Sequence, residues 1–138
     1  MRFKLLPLAF LLVVCANRAQ DKPASVQPSG AAAGKQTYMH YCASCHGVDA
    51  RGLGPAAPAL KTAPPDLTTL ANRHNGKFPD EYVAGIVRFG QPLAAHGSSD
   101  MPVWGPIFAV SEHGNEVAVR KLIKNLCDYL STLQEKES

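Results

Sequence analysis

The stretch Tyr41-Cys42-Ala43-Ser44-Cys45-His46-Gly47 places two thiols three residues apart with an imidazole directly behind the second. Four uses of paired cysteines compete for this pattern. A Cys42–Cys45 disulfide leaves His46 without a role. A redox dithiol of the thioredoxin kind wants a βαβ setting, and no strand pattern is visible. Structural zinc needs four ligands, usually from a second Cys or His pair. Only the distant Cys127 is left to supply one, and His46 follows Cys45 too closely to share a tetrahedral site with it. Covalent haem accounts for all three residues. Thiols one helical step apart can add to the two vinyl groups of the porphyrin, and the next residue then presents its imidazole to the iron.

The chain around this motif suits such a centre. Its 138 residues make one domain, and the N-terminus is laid out for export. Arg2 and Lys4 precede an apolar run over 5–14, too short for a permanent membrane span, and small polar residues follow. Residues 1–16 are read as the export signal, with two processing routes open. Leu12-Val13-Val14-Cys15 resembles a lipobox, in which Cys15 becomes the lipid-bearing first residue, although Val14 stands where glycine, alanine or serine is usual. Conventional cleavage after Ala16 or Ala19 is the other. Residues 17–33 are rich in Ala, Ser, Pro and Gln and are expected to form a flexible linker, ahead of a domain over 34–138. From Gly34 onward ten basic side chains meet ten acidic ones, which lacks the electrostatic footprint of a nucleic-acid binder.

The domain reads as all-α, with about four short helices. The first is expected over 34–46, and the Gly/Pro-crowded stretch 51–65 must be a loop. Asp66 or Thr68 is placed to cap a short helix ending at 71. A helix over 79–89 has proline in its first turn, Asp80 and Glu81 at its positive end and Gly90 as its stop, with Tyr82, Val83, Ile86, Val87 and Phe89 mainly on one side. The last helix, over 116–133, has Asn115 as its cap. Its buried stripe is Val119, Leu122, Ile123, Leu126, Leu130 and Leu133. Helices this short make a thin core, which a large apolar cofactor would fill.

Taken with its surroundings, the motif resembles the class I, single-haem c-type cytochromes of the bacterial type. Gly34, Tyr38 and Cys42, each four apart, look like that family's first helix, where the glycine lets the terminal helix cross closely. Leu126, Tyr129 and Leu130 look like the matching face of its last helix. The resemblance implies a cytochrome c fold wrapped around one covalent haem c, bound through thioethers to Cys42 and Cys45 with His46 as an axial iron ligand. Pro58-Ala59-Leu60 resembles the segment whose proline carbonyl orients the ligand imidazole, with Pro55 as the alternative. Met101, stiffened by Pro102 and matching the family's Met-Pro pair, is the expected sixth ligand. His96 is its main rival; His74, His113, His40 and Met39 suit the position less well. Trp104 is read as a cover for the haem or as core packing, and Cys127 as an inert buried thiol. Arg51, Arg88 and Lys61 are read as solvated charges rather than partners of the haem propionates.

These residues imply a single-electron carrier, not an enzyme, working outside the cytoplasm in the periplasm, either soluble or tethered through Cys15. Its donors and acceptors would be redox proteins, membrane respiratory complexes among them. Two alternatives stand beside it: a subunit fixed in a larger membrane oxidoreductase complex, and a haem enzyme or gas sensor with an open sixth position.

Overall fold

A computed structural model describes residues 30–90 and 100–136 of the chain. The export signal, Cys15, most of the linker and His96 lie outside the described residues. Among those described, five α-helices and two 3-10 turns occur and no strand does. The helices are α1 (Gly30–Tyr41), α2 (Ala43–His46), α3 (Asp80–Phe89), α4 (Trp104–Ser111) and α5 (Glu116–Thr132). None of them is long and apolar enough to cross a membrane.

The first and last helices form the frame. Gly34 makes their crossing tight: a Cβ built there would lie 1.8 Å from the Asn125 carbonyl oxygen and 2.9 Å from Tyr129 Cβ. One turn on, Tyr38 is fully buried, packs its ring at a tilt against Tyr129 with centroids 5.5 Å apart, and donates its hydroxyl to the Gly47 carbonyl at 2.6 Å. Burial pushes the Tyr38 phenol well above its usual range, so this hydroxyl stays a donor. Leu126 and Leu130 close the same seam from α5. The glycine and the facing residues thus meet as the family resemblance implies.

The helix ends follow local chemistry. Asn115 caps α5, its side-chain oxygen accepting from the backbone N–H of Val117 and Ala118 at 3.1 Å each. Gly90 ends α3 at φ 82°, with its N–H returned to the Ile86 carbonyl. In α5 the buried stripe is Val119, Ile123, Leu126, Cys127, Tyr129 and Leu130, with Leu122 and Leu133 packed partly against it.

Four expectations are corrected. α1 begins at Gly30 rather than 34, because Ala31, Ala32 and Ala33 extend it into the stretch read as linker. The first helix also breaks at Cys42, so the motif's last four residues form the separate turn α2. No helix forms over 66–71. There the Asp66 carboxylate accepts from the N–H and hydroxyl of Thr68, at 2.8 and 2.6 Å, and this side-chain turn competes with helix. Conversely, α4 was hidden by Gly105 and Pro106, which sit in its first turn, where the missing proline N–H costs nothing. Gly105 also lets α4 abut α3, since a Cβ there would fall 2.3 Å from the Arg88 carbonyl oxygen. On α3 only Val83 and Val87 are buried. Tyr82 and Phe89 are exposed, beside His74 and under the Arg88 guanidinium.

Two glycine-to-alanine variants should move in opposite directions. Gly34→Ala forces backbone against backbone and is expected to destabilise by about 3 kcal/mol. Gly85, within α3, has nothing within 4 Å of a built Cβ. Gly85→Ala should stabilise by about 0.5–1 kcal/mol through helix propensity. Chemical denaturation of both variants beside the parent checks the pair.

Candidate functional site

The motif sits where α1 gives way to α2, and its carbonyls are clamped from one loop. Gly52 N–H donates to the His46 carbonyl at 2.7 Å, Gly54 N–H to Cys45 at 3.0 Å and Ala56 N–H to Ser44 at 2.8 Å. Alternate residues of the loop thus satisfy three successive carbonyls that end a helix without further helical partners. Glycine is required at two of these points. Gly54 lies so near that a Cβ would be 2.3 Å from the Ser44 carbonyl oxygen, and Gly52 combines φ 82° with a Cβ position 2.2 Å from the Pro64 carbonyl oxygen.

Close packing of Pro64 on Gly52 brings the next residue to the imidazole. The Pro65 backbone carbonyl lies near enough to His46 to favour its protonated form, without reaching hydrogen-bond distance of Nδ1. Pro58 and Pro55, the residues expected to supply an orienting carbonyl, stand elsewhere on the loop. Pro58 is exposed within the 3-10 turn Ala57–Ala59, and Pro55 is exposed beside it. The fold of the loop, with Pro64 seated on Gly52, is what brings Pro65 near the histidine.

His46 is 7% exposed, and burial holds its imidazole below the usual histidine range, partly offset by that carbonyl. It is therefore neutral near pH 7, the form that can ligate a metal. Its Nδ1 is buried without a hydrogen-bond partner, the one such side-chain atom among the described residues. Cys42 and Cys45 are half-buried free thiols. Burial, with Cys45 adding to it, pushes the Cys42 thiol up to about 12.

The other candidate residues are distributed as follows. Met101 is half-buried and packs on the core cluster just ahead of α4. Trp104 opens α4 and stacks on Phe108 at 5.8 Å and 22°, while Tyr41 meets both rings edge-on at 5.4 and 5.2 Å. Tyr41 was not singled out from sequence, though it flanks the first cysteine. Of the rival ligands, Met39 and His40 are exposed on α1, and His40 lies edge-on to Tyr41. His74 pairs with Tyr82, and His113 occupies an exposed turn at φ 52°. No group of three or more His, Cys, Asp or Glu able to hold a metal ion occurs among the described residues.

Arg51 pairs with Glu135 at 2.7 Å and Asp66 at 3.6 Å, and Arg88 pairs with Glu116. Cys127 is buried, with its thiol 3.8 Å from the Asp80 carbonyl and pushed up to about 11 by burial. That environment leaves it little thiolate to react.

A family model described as cytochrome C oxidase, cbb3-type, subunit III matches residues 29–119. The chain belongs to this family of c-type cytochromes. Comparison with curated proteins gives no match, and neither does comparison with solved structures. The all-α architecture agrees with a cytochrome c fold, and a domain of this family binds one covalent haem c. The residues present fit that group. Two half-buried thiols three residues apart and a buried imidazole directly after the second are groups that could hold it. Such a domain is an electron-transfer module and not itself catalytic.

The loop that carries Pro65 should give this cytochrome domain a distinct acid response. Hydrogen bonds from Thr68, aided by Arg51 and Arg73, hold the Asp66 carboxyl below its usual range against some desolvation. The stability it adds is present above about pH 4 and lost as pH falls through its depressed folded value. Asp66→Asn should flatten the acid limb, so denaturant unfolding at pH 5 and pH 3 should show a smaller drop than in the parent.

Proposed function

We propose that this chain is a single-electron carrier in an extracytoplasmic electron-transfer chain, holding haem c by thioethers to Cys42 and Cys45 with His46 and Met101 as axial iron ligands. The observation that supports it most is the clamped motif turn, where paired thiols adjoin a buried, neutral imidazole that has an unsatisfied nitrogen. Haem c supplies a one-electron redox centre when bound. The chain's own residues do the rest. The contacts from Gly52, Gly54 and Ala56 hold α2 rigid, which keeps reorganisation small. The Pro65 carbonyl, beside the imidazole, would accept from the nitrogen turned away from iron and so strengthen the ligand. Trp104, Tyr41 and Phe108 form an aromatic wall that excludes water.

The name of the matching family favours a second reading of the same site, in which the domain is fixed as a subunit of a membrane respiratory complex. Export, with conventional cleavage or with lipid on Cys15, serves both readings. They separate on co-purification with partners in mild detergent, which a shuttle does not show.

Matured in a host competent for haem attachment, the protein should be red and give a pyridine haemochrome of one haem c per chain. Cys42→Ser combined with Cys45→Ser should abolish covalent haem. The reduced parent should not bind carbon monoxide at neutral pH, whereas Met101→Ala should bind it readily. A colourless but folded parent would refute the haem assignment, and a parent that binds carbon monoxide would refute Met101 as the sixth ligand in favour of an open position.

A further inference from the structure

Asp100 immediately precedes Met101, and its side chain reaches across the fold. One carboxylate oxygen, Oδ2, accepts from two consecutive backbone N–H groups, Lys61 at 2.8 Å and Thr62 at 3.1 Å. Those donors lie 39 and 38 residues earlier in the chain. They follow the 3-10 turn Ala57–Ala59, which is joined to the clamp loop through Ala57 N–H to the Gly54 carbonyl at 2.9 Å. On the other side of Met101, Pro102 restricts the backbone and α4 begins at Trp104, whose ring is packed on Phe108 and Tyr41. Met101 is therefore held between an anchored helix and a side-chain tie.

We infer that Asp100 is a positioning residue for Met101: its carboxylate moors the methionine segment to the 61–62 backbone and so keeps the thioether on the iron against competing ligands. This rests on Met101 being the axial ligand, as proposed above. Methionine is a weak neutral donor on a flexible side chain, so its occupancy depends on how far the protein confines its backbone. Pro102 limits the segment on one side only. The Asp100 bonds add two fixed points directly ahead of Met101. Both bonds end on the same oxygen, so an asparagine amide oxygen can accept them with the same geometry and alanine cannot.

The test compares the parent, Asp100→Ala and Asp100→Asn as matured haem proteins, each checked by pyridine haemochrome for one covalent haem. The readouts are the near-infrared sulfur–iron charge-transfer band of the oxidised protein and its affinity for added imidazole. The parent should show the band. Asp100→Ala should weaken it and bind imidazole about tenfold more tightly, the scale of losing two modest hydrogen bonds that favour the closed segment. Asp100→Asn should remain near the parent in both. A parent with the band and an Asp100→Ala protein indistinguishable from it overturns the positioning role and leaves the axial assignment standing. Equal loss in both variants also overturns it, since the amide keeps the acceptor. A parent without the band overturns the axial assignment and the positioning role together.

Discussion

The loop clamp on α2 is the constraint from which the rest of the site follows. A four-residue helix has no cooperative stability of its own, and its terminal carbonyls would otherwise be orphaned in a half-buried setting. By donating from Gly52, Gly54 and Ala56, the loop fixes the backbone that carries both thiols and the imidazole. The approach is possible only because glycine stands at two of the three positions. The same approach seats Pro64 against Gly52 and so brings the Pro65 carbonyl near His46. Pinning the motif and setting the surroundings of His46 are thus one packing event.

The helical frame meets this clamp through Tyr38. Its hydroxyl ties the buried face of α1 to the Gly47 carbonyl at the end of the motif, while its ring lies on Tyr129 of α5. The far end of α5 is tied in as well. The Gln134 amide oxygen accepts from Ala71 N–H, and its NH2 donates to the carbonyls of Leu67 and Leu130. Arg51, in the clamp loop, reaches Glu135 beyond the same helix. A thin core is thereby compensated by polar ties at the seams between loop and helix, each modest, together closing the shell around the motif.

Several of these features were legible in the residues. The CxxCH spacing pointed to covalent haem, the cofactor of the family to which the chain belongs, because that use alone accounts for two thiols and the adjoining imidazole together. The Asn115 cap, the Gly90 stop and the α5 stripe could be read from local rules that act within one helical turn. Asp66 misled for an equally local reason: the same side chain that caps helices also closes a turn with Thr68. The breaker signal of Gly105 and Pro106 hid α4 because proline is tolerated in a first turn, a position definable only once the helix start is known. The course of the loop between 51 and 65, which leaves Pro58 exposed and brings Pro65 near His46, could not be read from spacing.

The sequence by itself determined the residue types and short-range spacings: which helices can start and stop, which faces are apolar, and which side chains can bind a haem. Tertiary structure decided which distant groups meet. The pairing of Gly34 with Asn125, of Pro65 with His46, and of Asp100 with the 61–62 backbone joins segments separated by loops whose course no periodicity encodes. Local propensity acts over a few residues, whereas those contacts depend on excluded volume and hydrogen-bond satisfaction across the whole packed shell.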